Sequence, residues 1–564
     1  MAIKQLKSKS YDDFSKGCWQ SASDTLAPEN SVKLNLNLDS DEIIGSLVSR
    51  YGSTLITGQL EDTKAILGLH NYRDSLGSVN KLFAVVNDSA DTNADIYDVV
   101  AGTKSLADDT ASLKARFLSY LNACLRLNGT DDPAYYNGTS WQTSPTGAAF
   151  TAATTDIITD VAHGLLDGDI VVLTTTDTLP AGLSLETNYY VRDKADDTFK
   201  VALTSGGTAV DITDTGAGTH TWAYWDPFDV ANIPTGAKYA VEFRDRVYVA
   251  GMSTDPDRVD YSGIADSTTR DISWSTDNGF IIFEQEDGGG GITGLAKVPN
   301  YLLVFKKRTL KRYDGSSAYP EDMINQGAPS QEAIAVAQGK CFWVNENGAW
   351  ATTGGEPKNI GTYTVDAIIK SCSATNLANV ASGTDEEHVF WSFASVTMNG
   401  ETYTNVVIKY NIFQNTWDIR QYPTLPRAYA KYVDSSDNVF LTAGDDDGNV
   451  LKMDTGTTDN GTPVYYSLET QDLTFGFRVF EKSITELGIT SENISKASLM
   501  WRNTSKPEDW KSLGVIDSET QMFDQFDIRG ARFNFKISES TDSGRATIKS
   551  IDFPQGIKVF DNTH

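Results

Sequence analysis

The chain has 564 residues, 40% of them hydrophobic, with 47 Lys and Arg against 76 Asp and Glu for a formal net charge of −29. Such a charge disfavours a genome-binding role, because affinity for nucleic acid comes largely from Lys and Arg meeting phosphates; it is compatible with a passage that DNA crosses without sticking, or with solubility alone. No run approaches the roughly 18 apolar residues of a membrane helix. The start, Met1-Ala2-Ile3-Lys4-Gln5-Leu6-Lys7, has no apolar segment of the secretory type. Cys18, Cys124, Cys341 and Cys372 form no CxxC pair, so neither a zinc site nor a disulfide framework is expected, and a reduced, cytosol-assembled protein is.

Read in chain order, residues 1–59 form an N-terminal arm and lead-in strands. Lys4, Lys7, Lys9 and Lys16 concentrate basic charge there, which suggests docking on an acidic partner surface. Residues 60–147 read as the first blades of a repeat. In them, Leu82–Val86 is followed by Asp95–Asp98, and Asn128-Gly129 by Ala134–Gly138 and Trp141. Ser112–Leu127 has the best helical spacing, through Leu113, Phe117, Tyr120, Leu121 and Cys124, but a strand preceded by a turn fits it equally well.

Residues 148–221 turn to Thr, Ala, Gly and Asp. They carry strands at Asp169–Leu173, Tyr189–Val191 and Thr198–Leu203, the signature of a small β domain inserted at a blade loop. From 222 to 458 the rhythm resumes: an apolar strand, a tight turn, then a second strand ending in an aromatic or Asp-Gly. Tyr239–Ala250, Gly294–Phe305, Ala335–Val344, His388–Phe393 and Tyr429–Val433 open successive units. Their spacing of roughly 40–55 residues matches four-stranded β-propeller blades, about seven in all. An array of β-sandwiches is the alternative. Over residues 459–564, Tyr465–Thr470, Ser498–Arg502, Ala531–Ile537 and Ala546–Phe553 alternate apolar with polar, as in a half-buried sandwich. The expected fold is therefore all-β: a propeller, an inserted small β domain and a C-terminal β-sandwich-like domain.

These features resemble the propeller proteins of bacteriophage tails, the hub or nozzle also called packaged-DNA stabilisation proteins. Ser46–Gly52 looks like their opening segment, Asn128-Gly129 with Tyr136-Asn137-Gly138 like their blade turn, and Ala531–Phe553 like their closing module. His163-Gly164-Leu165, Gly168-Asp169, Leu179–Leu183, Tyr189–Val191, Thr198-Phe199 and Gly218–His220 resemble a module scattered through phage virion proteins. The resemblance implies a homo-oligomeric ring, with six copies expected, in the virion tail and assembled in the host bacterial cytoplasm. Its partners would be portal, adaptor or tail-tube proteins, tail fibres or a plug, and genomic DNA passing without specific binding. Short and long tails both remain open.

No catalytic, cofactor or metal residue set stands out. Ser275–Phe280 resembles one Asp-box of sialidases, a folding turn remote from their chemistry. Asp445–Asn449 is an oxygen-rich turn that lacks the downstream bidentate Glu of a calcium loop, so a solvated hairpin turn is the default. Gly288–Gly291 is not followed by Gly-Lys-Ser/Thr and reads as a lumen or interface loop rather than a phosphate cradle. His70, His163, His220, His388 and His564 are isolated in sequence; His163 and His220 share the insert, but further zinc ligands are lacking. The reading is a structural, non-enzymatic protein without a cofactor or membrane span. A receptor- or glycan-binding tail-tip protein is the alternative, and a glycan-degrading propeller the third possibility.

Overall fold

The computed structural model describes residues 2–20, 27–143, 147–267, 269–283, 290–317, 319–505, 509–542 and 544–561. By packing, the chain divides into two units, Leu67–Asp322 and Met1–Ile66 with Met323–His564. The fold is an all-β propeller with additional β domains. Among the described residues, five four-stranded antiparallel sheets follow one another along the chain, and two further sets of four antiparallel strands belong to one 14-stranded sheet; we number these seven as blades in chain order.

The Leu67–Asp322 unit carries the first four. Its first blade runs Ile66–Arg73, Asn80–Asn87, Asn93–Asp98 and Thr103–Thr110. The second is Arg116–Tyr120, Ala123–Leu127, Ala134–Tyr136 and Trp141–Gln142. The helical spacing over Ser112–Leu127 is thus two strands of a hairpin. Leu121 and Asn122 at its tip both have positive φ, 52° and 67°, the two-residue turn that matches strand twist. The apparent helical period arose because this turn joins two short apolar runs. Tyr239–Phe243, Arg246–Ala250, Arg258–Tyr261 and Gly279–Ile282 make the third blade. Ile292–Val298, Tyr301–Lys306, Leu310–Tyr313 and Glu321–Ile324 make the fourth.

The insert is a closed six-stranded barrel from Ala148–Ala153 to His220–Tyr224, filled by Phe150, Val171, Tyr189, Phe199 and Trp222. It leaves after the last strand of the second blade and returns before the first strand of the third. It therefore sits between two blades, not within one, and neither sheet is interrupted. Its last strand extends to Tyr224 because Trp222 and Tyr224 pair with Leu173 and Val171.

The other unit holds the remaining blades. The fifth is Ile334–Ala337, Lys340–Asn345, Gly348–Thr352 and Lys358–Asn359. The sixth is Ala381–Thr384, His388–Met398, Glu401–Asn411 and Thr416–Gln421. The seventh takes three strands from Pro426–Val433, Val439–Asp445 and Val450–Met453. Its fourth is Ser53–Leu55, with Leu55 opposite Leu451 and Ser53 opposite Met453. Residues nearly 400 positions apart in sequence thus complete one sheet.

The C-terminal β domain packs two sheets around Leu468, Ile489, Leu499, Phe535, Ile548 and Phe553. The N-terminal arm belongs to it. Ala2–Gln5 pairs with Lys558–Asp561, and Lys9–Tyr11 with Phe553–Ile551, so the arm's backbone is ordered on its own chain. Lys4, Lys7, Lys9 and Lys16 stay exposed.

Candidate functional site

The most unusual chemistry in the chain is a buried charge network where residues 32–55 meet the sixth and seventh blades. Val32–Leu36 lies between two strands. Leu36 pairs in parallel with Ile419 of the sixth blade, and on the other side Leu34–Leu36 pair antiparallel with Glu469–Ser467 of the C-terminal domain. One hydrogen-bonded sheet therefore runs from the blade into the domain. Asn37 then turns the chain at φ 56°, a left-handed conformation that Asn tolerates. This turn puts Asp39 and Asp41 over the sixth blade.

That blade meets them with cations. Arg420 reaches Asp39 through Nε and Nη2 at 3.2 and 2.7 Å, and Asp454 through Nη1 at 2.8 Å. Lys409 Nζ lies 2.9 Å from Asp41, 3.6 Å from Asp39 and 3.9 Å from Asp418. His388 bridges two carboxylates, with Nδ1 to Asp385 and Nε2 to Asp41 both at 2.8 Å. Arg50 spends all five N–H groups: on Asn37 Oδ1, the carbonyls of Tyr51 and Gln421, and both oxygens of Asp459. Its guanidinium also stacks 4.1 Å from the Tyr422 ring.

Burial opposes the charge on every member, so each titration shows which force wins. For Asp39, Arg420 and Lys409 outweigh burial and hold the carboxyl below its usual range. Asp41 is likewise depressed, through His388 and Lys409. For His388, hydrogen bonds to Asp385 and Asp41 overcome burial and push the imidazole up to about 9. Asp418 goes the other way. Burial and the neighbouring Asp41 push it up to about 7 against the pull of Lys409. Its Oδ1 accepts hydrogen bonds from Ser40 Oγ at 2.7 Å and Asn35 Nδ2 at 2.5 Å. Each cation is hydrogen-bonded into the network and tied to more than one polar group. The chemistry this arrangement performs is cohesion: it welds the N-terminal segment to blade and domain.

The sequence showed half of this. Lys409, Asp418 and Arg420 stand within apolar strand runs, a sign of buried charge, but Asp39 and Asp41, which meet Lys409 and Arg420, lie some 370 positions away.

Of the positions singled out from sequence, His388 joins this network, His70 and His220 lie in strands, and the Asp-rich segments form turns. Asp277 is held by Arg246 Nη2 at 2.8 Å, and Arg246 Nη1 also donates to the Ser262 carbonyl at 2.7 Å, so Ser275–Phe280 is a cross-braced blade turn. In Asp445–Asn449, Asp445 accepts from Asp447 N, Asn449 N, Asn449 Nδ2 and Thr424 Oγ1 at 2.7–2.9 Å. Gly288 and Gly289 lie outside the described residues, as does His564. His70 stacks on Phe117 and shares a hydrogen bond with Ser119. His163 binds the Ala195 carbonyl and the Leu165 amide; His220 binds Thr175 Oγ1 and the Thr215 carbonyl. Each thus spends both ring nitrogens on its own neighbourhood. Among the described residues no group of His, Cys, Asp and Glu is arranged to hold a metal ion. Burial raises all four thiols, Cys18 and Cys372 to about 12. No helix among the described residues is long and apolar enough to cross a membrane.

No protein-family model matches the chain, and no curated protein matches it. Among solved structures it is similar to YCF48 from Cyanidioschyzon merolae, at 8% identity and TM-score 0.33, over 70% of this chain and 98% of the other. It is similar to the beta-propeller domain of Cps50 (Swd1) from Myceliophteria thermophila at 8% identity and TM-score 0.32, over 68% and 96%. It is also similar to the phage phi92 endosialidase at 10% identity and TM-score 0.27, over 88% and 70%. These likenesses say nothing of activity.

Proposed function

We propose that this chain is a structural virion protein of a tailed bacteriophage. It forms an oligomeric ring, the hub or nozzle of the tail, that extends or seals the DNA channel and docks other tail components. The observation that carries the reading is the single sheet running from the sixth blade through Val32–Leu36 into the C-terminal domain, with its buried ion pairs. A part that holds its shape under the pressure of a packaged genome has use for such a weld. The −29 charge favours a surface that DNA slides past. The phage-type insert and blade turns supply the family resemblance. Its partners are further copies of itself, portal, adaptor or tube proteins, and fibres or a plug; its place is the virion tail, reached by assembly in the host bacterial cytoplasm. The reading is non-enzymatic.

Cryo-electron microscopy of the virion, with mass photometry of the purified chain, tests it. An axial ring around a channel, matched by a multimer in solution, is the expected result. A peripheral location and a monomer at all concentrations would reject it. The second reading, a receptor- or glycan-binding tail protein, is favoured by a groove on the inserted barrel.

A further inference from the structure

We propose that the inserted barrel carries a binding site for a neutral oligosaccharide, in an open groove of about 740 Å³ beside the strand Ala148–Ala153. The size lies within the roughly 300–1,000 Å³ usual for ligand pockets. The groove is distinct from the packed barrel interior, where Phe199 and Trp222 meet edge to face.

Its lining has a definite chemistry. Thr151 and Thr159 are direct cross-strand partners and so share a face; Thr215 and Thr219 come from the segment leading into the last strand. A threonine hydroxyl both donates and accepts, the same dual capacity that each sugar hydroxyl presents. Val161, 75% exposed on the rim, offers apolar surface to the C–H face of a pyranose ring.

The charge pattern selects the ligand class. Asp160 is the acidic group of the groove, and no Lys or Arg lines it among the described residues. His220 is already engaged by Thr175 and the Thr215 carbonyl. A sialic acid, a phosphate or an acidic peptide would find no counter-charge and would meet the Asp160 carboxylate, whereas a neutral polyhydroxyl ligand brings no charge of its own and can donate hydrogen bonds to that carboxylate. Asp160 is also held in place: its Oδ2 accepts from Trp222 Nε1 at 2.8 Å, so using this carboxylate as an acceptor for a sugar hydroxyl costs little entropy. The site does not depend on the ring reading. Under that reading, several copies per particle would turn weak single-site binding into avidity.

The test uses the full-length chain on an array of neutral and sialylated oligosaccharides, with saturation-transfer NMR on any binder. Ala149→Arg and Thr151→Arg fill the groove from exposed strand positions. Asp160→Asn keeps an acceptor for Trp222 while removing the charge. Leu203→Arg changes an exposed barrel residue outside the groove. Thermal melts check that each variant is folded. The expected result is binding of neutral oligosaccharides that both groove-filling variants abolish, that Asp160→Asn weakens about tenfold, and that Leu203→Arg leaves intact. The proposal is overturned if no glycan binds, if only sialylated glycans bind, or if the groove-filling variants bind normally. Mass photometry of the same samples reports ring formation separately, so failure of one reading is distinguishable from failure of the other.

Discussion

Arg50 and Asp459, 409 positions apart in sequence, face each other as a buried two-pronged ion pair, Nη1 to Oδ1 at 2.9 Å and Nη2 to Oδ2 at 2.6 Å. The arginine side chain is fully inaccessible and the carboxylate 6% exposed, so water screens the pair little. Arg50→Met would strand the Asp459 charge and leave the Gln421 carbonyl and Asn37 Oδ1 short of a donor. Removing one partner of such a pair costs about 3–5 kcal/mol. Urea unfolding of Arg50→Met should show a loss of that size. Arg50→Met with Asp459→Leu should lose less than the sum of the two single changes, which a double-mutant cycle measures. A loss under about 1 kcal/mol for Arg50→Met, the range of an exposed pair, would mean that the weld contributes little.

His388 gives the same region a pH dependence of definite sign. Asp41 and Asp385 attract its proton, Lys409 repels it, and Asn411 adds a neutral contact. The imidazole stands at about 9 in the folded chain against an ordinary 6.5. The stabilisation is therefore fully present below about pH 6.5 and is lost as pH rises through about 9. A shift of this extent corresponds to on the order of 3 kcal/mol. His388→Gln should flatten that part of the curve: wild type and variant should differ most near pH 6 and converge by pH 10. Parallel melting curves across that window would refute the assignment.

The blades were legible because strand, turn and strand recur on the chain's own short scale. Tyr239–Ala250 and Gly294–Phe305 announced their sheets without help from elsewhere. Leu121-Asn122 was not legible as a turn. Neither residue is Gly or Pro, and the left-handed Asn122 is confirmed by tertiary bonds, its Oδ1 taking the Ser75 amide and its carbonyl the Tyr72 hydroxyl. The fourth strand of the seventh blade, Ser53–Leu55, is three ordinary residues whose role depends on a partner at Leu451–Met453. The Thr-rich stretch 148–221 signalled a separate module. Composition could not say that Thr151 and Thr159 end up opposite each other, since register is set by the whole barrel.

Calcium should not matter to the oxygen-rich turn at Asp445–Asn449. Asp445 is 1% exposed, and its two oxygens together accept four hydrogen bonds from its own chain. A cation would have to displace donors already in place. Melting temperature should be the same in chelator and in millimolar calcium. Asp445→Ala should cost about 1–3 kcal/mol by leaving buried donors unmet. A calcium-dependent rise in Tm that Asp445→Ala removes would overturn this.

The N-terminal segment offers the sharpest test of how the chain holds together. Deleting residues 1–56 removes the last strand of the seventh blade, the strand bridging sixth blade and C-terminal domain, and the carboxylates of Asp39 and Asp41. It leaves an open sheet edge at Val450–Met453. It also leaves Lys409 with only Asp418, and Arg420 with only Asp454, as carboxylate partners. Several kcal/mol from unmet charge add to the lost strand pairing, so the truncated chain should lose its cooperative transition and become protease-sensitive. Deleting residues 1–8 removes the pairing of Ala2–Gln5 with Lys558–Asp561 and the Leu6 contact with the C-terminal core, but none of the buried ion pairs, and should preserve cooperative unfolding. A synthetic peptide of residues 30–56, added in trans to the long truncation, should restore protection, because the contacts it makes are strand pairing and ion pairs that need no covalent link. If the long truncation melts like the intact chain, the N-terminal segment is an accessory and the weld is not what holds blade to domain.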